Sequence, residues 1–199
     1  MNTLESAIPS LSAIRKSLTI CSLLFLCATS LCAVADQELS PVAKVLDYEI
    51  TLLEGDIIPL AEAMPADKYD FAPTAGEFKG VRTFADQISH VAVNIYSVSS
   101  AILEEKLPPE IGTGEYGPAK LKTKDDLVAY LKGSLAYAHK AMARLTAANL
   151  TDEVQAWWGK ASRLFMADVA MWHSYDHYGQ LVEYLRMNGI VPPASRPRK

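Results

Sequence analysis

Phe84, Ile88, Val91, Ile95, Val98 and Ile102 follow one another at intervals of four, three, four, three and four residues. That spacing lines one side of an α-helix with a single apolar stripe. It predicts a helix opening near Gly80 or Val81. Three further segments carry stripes of the same kind. Val42, Val45, Leu46, Leu52, Leu53 and Ile57 predict a helix over residues 41–63, with Pro59 placed to bend or end it. Leu127, Leu131, Leu135, Ala138, Met142 and Leu145 predict another that runs to about residue 147. Thr123 caps its start, and Asp125 and Asp126 supply acidic groups to its first turn. The last helix covers roughly residues 161–187. Asn188-Gly189 stops it and Pro192-Pro193 forbids its resumption.

Between these stripes the pattern breaks. Residues 64–79 hold Pro65, Pro73 and Gly76 among the aromatics Tyr69 and Phe71, which predicts a loop that packs. Residues 107–122 hold Pro108, Pro109, Gly112, Gly114, Gly117 and Pro118, so no helix survives there. Their length lets the third helix start far from the end of the second. Residues 149–159, with the pair Trp157-Trp158, fit either a short helical turn or a packed loop. No segment reads as a convincing strand. The fold class is therefore all-α: a four-helix bundle with a long crossover loop between the second and third helices.

The first 35 residues change the picture of the chain's ends. Arg15 and Lys16 precede an almost uncharged apolar run through Cys32, and Ala33-Val34-Ala35 matches a small-x-small cleavage site. This predicts a cleaved signal peptide over 1–35, a bundle domain over 36–193 and a flexible basic tail over 194–199, in a periplasmic or secreted protein. An uncleaved anchor is the competing reading, but the run is near the lower limit for a bilayer span and no stop-transfer flank follows. No stable membrane span is expected after cleavage. Cys21, Cys27 and Cys32 all lie in the leader, so the mature chain has no thiol for a disulfide, a metal or catalysis. Loss of two cations and one anion takes the formal charge from -4 to -5. A mildly acidic domain with interspersed signs gives no reason to expect nucleic acid as a partner.

Candidate chemistry sits on the histidines, of which there are four. His173 and His177 are four residues apart, so both rings leave one helix face about 6 Å apart along the axis. His90 lies on the second helix in a line with Gln87, Asn94, Ser97 and Ala101, small and polar residues that suit the wall of a cavity. Buried histidines bonded to side chains or water would be the plain structural alternative. Two rings on one face and a third beside a small-residue wall favour a divalent metal held by His90, His173 and His177. Ser174 stands where a zincin has Glu, and no Glu-x-x-His or Cys-x-x-Cys-His occurs, which leaves a mononuclear site with open positions. Asn94, Asp176, Gln180 and Tyr184 are the nearest polar groups for orienting ligands or substrate. His139 fits a half-exposed structural role. The three tryptophans fit core and rim, and Glu183 a solvated one.

The run from His173-Ser-Tyr-Asp-His177 through Met187-Asn-Gly189 to Pro193 resembles the closing signature of the DinB-like family. The stretch Met64-Pro-Ala-Asp-Lys-Tyr-Asp-Phe-Ala-Pro73, with Val81-Arg-Thr-Phe84 and Ser89-His-Val-Ala92, resembles that family's first loop and second helix. The resemblance implies a four-helix bundle holding a single metal, most often zinc or nickel, on His90, His173 and His177. It also implies kinship with thiol-dependent transferases and isomerases that use bacillithiol, mycothiol or glutathione. The export signal departs from that pattern, because those thiols are mainly cytoplasmic. The expected function is an exported metalloenzyme that activates water or a thiol, as a hydrolase or transferase acting on a small-molecule substrate. The alternative is a non-catalytic, stress-related or binding bundle with a structural metal or none. A homodimer is left open.

Overall fold

Each of the four α-helices among the described residues begins where a hydroxyl side chain caps it. In the computed structural model, which describes residues 38–107, 109–112 and 114–197, helix α1 spans Pro41–Ala63, α2 Phe84–Leu103, α3 Lys124–Met142 and α4 Arg163–Met187. The expected signal segment lies outside the described residues. Ser40 Oγ accepts from the Ala43 amide and donates to the Leu145 carbonyl, which ties the start of α1 to the chain beyond α3. Thr83 and Thr123 form reciprocal capping boxes with Asp86 and Asp126. The Thr83 box moves the start of α2 three to four residues past the Gly80 or Val81 expected from the apolar stripe. Ser162 caps α4. Beyond α4, Gly189 adopts φ 71°, and the Ile190 amide donates back to the Leu185 carbonyl. This is the left-handed stop that Asn188-Gly189 predicts.

Two boundaries differ from expectation. Pro59 neither ends α1 nor shortens it: the helix continues to Ala63. Pro59 lacks an N–H for the Gly55 carbonyl, but Gly55 lies on the exposed side of α1. Helix α3 stops at Met142, short of residue 147, because the Arg144 and Leu145 amides tighten onto the carbonyls three residues back.

The stripes read for α2 and α3 do form the core. In α1 only Leu53 and Ile57 of the expected stripe are fully buried, beside Ile50 and Leu60, and Val45 and Leu52 are exposed. Phe84, Ile88, Val91, Ile95 and Val98 of α2 are fully buried against Leu131, Leu135 and Ala138 of α3 and Met166 and Ala170 of α4, among others. Helix α2 packs against α3 and α4, and α1 packs against the same two from the other side. Directions follow from side-chain pairs. Tyr96 stacks on Tyr130 and Tyr137 of α3, while Glu105 just past α2 meets Tyr137 and Lys140, so α2 and α3 run parallel. Parallel neighbours cannot be joined by a tight turn. This is why residues 104–123, with a 3-10 turn at Pro109–Ile111, are needed to cross back along the bundle. Arg163 at the start of α4 donates to the Ile102 carbonyl near the end of α2, so those two helices are antiparallel.

Residues 149–159 correct the sequence reading in part. A helical-type turn closes up to Asp152, with the Leu150 amide donating to the Thr146 carbonyl. Strands β1 (Glu153–Ala156) and β2 (Gly159–Ser162) then pair as an antiparallel hairpin, with Trp157-Trp158 as its two-residue turn. Residues 153–156 do alternate exposed and buried. Four residues are too few for a period of two to stand out in sequence. Among the described residues no helix is long and apolar enough to cross a membrane.

Candidate metal centre

The antiparallel packing of α2 on α4 sets the register of the site. His90 faces the turn of α4 that carries His173 and His177, and the three ring centroids lie 5.1, 5.0 and 4.7 Å apart. One nitrogen from each ring falls within 4.8 Å of the other two. That separation is compatible with three nitrogens sharing one cation. His177 is buried, and the other two rings are half-buried.

Two of the rings are held in a defined tautomer. His90 Nδ1 lies 3.2 Å from the backbone carbonyl of Glu115, in the crossover loop. A carbonyl only accepts, so Nδ1 carries the proton and Nε2 keeps its lone pair. His177 Nδ1 donates to Gln87 Oε1 for the same reason. The orientation of Gln87 is itself dictated. Gln180 Nε2 donates to the Asp176 carboxylate at 3.0 Å, which turns Gln180 Oε1 toward Gln87. Gln87 Nε2 donates to that oxygen at 3.0 Å, which leaves its own oxygen for His177. The exposed carboxylate thus fixes a directional chain of hydrogen bonds that ends on a buried imidazole.

The third ring has no such support. His173 Nδ1 is buried and has no hydrogen-bond partner in the protein. An orphan buried nitrogen costs about 1–3 kcal/mol, and a cation shared by the cluster would offset that cost. The donor set also fits. Burial first, then the neighbouring His90, pushes His173 down to about 4. Burial and then His173 push His177 down to about 4. Burial lowers His90 as well, partly countered by its bond to the Glu115 carbonyl. At pH 7 the lone pairs of His173 and His177 are therefore free of protons.

Polar groups singled out from the sequence take different places. Asp176 and Gln180 belong to the chain that orients His177. Tyr184 instead donates to the Arg82 carbonyl at 2.9 Å and pins the segment before α2. Asn94 lies on the wall of a cavity of about 500 Å³ that begins at His90 and runs between α2, the crossover loop and the hairpin. His139 bridges α1 and α3, with Nδ1 2.6 Å from Asp47 and Nε2 3.4 Å from Glu54, a structural place as expected. Glu183 is solvated and paired with Arg186. The tryptophans are not in the core: Trp157, Trp158 and Trp172 are 64%, 45% and 54% exposed. Two orienting groups escape the sequence reading. Gln87 was legible in principle, three residues before His90 on the same face. Glu115 was not, since only tertiary folding brings the loop onto α2; its carboxylate pairs with Arg82 beside the site.

A family profile described as the DinB superfamily matches residues 50–181, more than half of the chain and all three histidines. No curated protein matches. Among solved structures, the chain is similar to a DinB-like protein from Bacillus subtilis, with 17% identity, a TM-score of 0.56, and coverage of 77% of this chain and 99% of that one. It is also similar to a DinB-like protein from Bacillus cereus, at 13% identity and TM-score 0.60, covering 74% and 93% of the two chains. A conserved protein from Enterococcus faecalis aligns at 18% identity with TM-score 0.51, covering 73% of this chain and 94% of that one. At such identities the likeness speaks to the fold.

Proposed function

This chain belongs to the DinB superfamily, and from that premise we propose that it is an exported metal-dependent enzyme whose His90, His173 and His177 hold one divalent ion, zinc or nickel. When bound, such an ion supplies Lewis acidity that lowers the pKa of a coordinated water or thiol toward neutrality. The residues of the chain do the rest. The Glu115 carbonyl and the Gln87 amide keep the protons of His90 and His177 on Nδ1, away from the centre. Burial keeps the His173 and His177 rings uncharged at neutral pH. The adjoining cavity gives a small-molecule substrate a place beside the centre. The reaction is of the hydrolase or thiol-transferase type.

The observation that carries this reading is the convergence of three imidazoles with an orphan nitrogen at His173. Elemental analysis of the purified chain tests it. About one equivalent of zinc or nickel is expected in the wild type, and none in the His173→Ala/His177→Ala double variant. Equal metal content in the two would end the proposal. Export is tested separately by mass spectrometry of the N-terminus from cells, which should begin at Asp36; a mature chain that begins at Met1 would count against it.

A further inference from the structure

The cavity beside the triad carries its own chemistry. Its long wall is the second line of α2, from His90 to Ala101, about 16 Å of helix. Asn94 stands one turn along that wall from His90 and is only 7% exposed. Its Oδ1 is buried with no hydrogen-bond partner in the protein, although it belongs to a side chain that lines the cavity. An amide left unpaired in a fold costs roughly 1–3 kcal/mol unless something else bonds it. A carboxamide offers one acceptor and two donors side by side, so its best complement is another amide, which donates and accepts in return.

Charge narrows the choice. No lysine or arginine lines the cavity, and its only carboxylate, Glu115, is engaged by Arg82. At Asn94 and beyond, away from the triad, a charged head group would lose its hydration with no side-chain counter-charge to meet it. Beyond Asn94 the lining adds the hydroxyls of Ser97 and Ser100 and the apolar surfaces of Val93, Ala101 and Trp157. We infer that the cavity binds an uncharged molecule with an amide group and an apolar arm. Its amide lies against Asn94, about 6 Å along α2 from His90. The arm runs toward Ala101 and the Trp157 rim, and the reacting end lies at the triad.

This assignment deepens the reading of the triad as a metal centre and rests on it for the reacting end. Binding by the cavity is tested without it. N-hexylacetamide, hexanoate and hexylamine share an apolar arm and differ in head group. Calorimetric titration of each into the full chain after chelation should rank the amide first by about tenfold or more. Asn94→Leu keeps the volume and removes the amide; it should weaken N-hexylacetamide by about tenfold while the thermal midpoint is kept. Ala101→Trp fills the far end of the wall and should abolish binding of all three probes. Equal affinity for the three head groups, undiminished binding by folded Asn94→Leu, or no binding of the amide would overturn the inference. Metal content separates the two failures. A chain purified with metal that ignores the amide after chelation sinks the cavity assignment alone, and a chain purified without metal that binds the amide sinks the triad alone.

Discussion

Removing Gln87 tests whether the hydrogen-bonded chain that ends on His177 governs metal affinity. Gln87 is 1% exposed, so water cannot take its place. In Gln87→Leu, His177 Nδ1 loses its only acceptor and Gln180 Oε1 loses its donor, although Gln180 is exposed and can turn to solvent. The buried imidazole is then free to move its proton to Nε2, the nitrogen that would otherwise offer its lone pair. Removing an orienting partner of a metal-bound histidine typically lowers affinity about 10–100-fold, equivalent to roughly 1.4–2.7 kcal/mol. Gln87→Glu separates orientation from packing. Its carboxylate still accepts from His177 but cannot donate to Gln180 and is itself buried, so metal affinity should hold while stability falls by about 3 kcal/mol or more. Competition against a chromophoric zinc chelator measures the first quantity, and urea denaturation the second. A Gln87→Leu protein that folds and binds zinc as tightly as the wild type would refute the reasoning. So would a Gln87→Glu protein that binds as poorly as Gln87→Leu.

Two further outcomes follow from the same geometry. The ordinary histidine pKa of 6.5 falls to about 4 at His173 and His177 in the fold. Between those values the unfolded chain takes up protons that the folded chain refuses, so stability in the presence of chelator should fall as pH is lowered from 6.5 toward 4. Urea midpoints at pH 7, 6 and 5 would reveal the trend, and a flat profile would contradict it. Gly133→Ala places a Cβ 2.4 Å from the Tyr96 hydroxyl, and Tyr96 is held between Tyr130 and Tyr137. Its cost should exceed the gain in helix propensity and leave a net loss of roughly 1 kcal/mol or more; a raised thermal midpoint would show that α2 and α3 are not in tight contact there.

Much of this arrangement is legible in the sequence because helices advertise themselves. The stripe from Phe84 to Ile102 is buried as its period requires, and the line beside it that carries His90 and Asn94 does wall a cavity. Thr123 and Asn188-Gly189 mark helix ends because caps are local chemistry. What escaped depends on contacts far apart in the chain or on patterns too short to register. The hairpin offers one alternation of four residues. Pro59 looks like a breaker until one knows that Gly55 faces outward. Gln87 reads as a small polar residue on a wall, and only the meeting of α2 with α4 turns it into the partner of a histidine ninety residues away.

The parallel pairing of α2 with α3 also dictates when the site comes into being. The loop that it demands supplies the carbonyl at Glu115, and the other two rings arrive only with α4. A nascent chain still emerging from the ribosome holds His90 without the crossover, and later holds the crossover without its partners. Contacts of such long sequence separation carry a loop-closure cost, and the three rings can converge only once α4 has been made. A metal held there, as proposed above, would report that synthesis and folding have proceeded through α4.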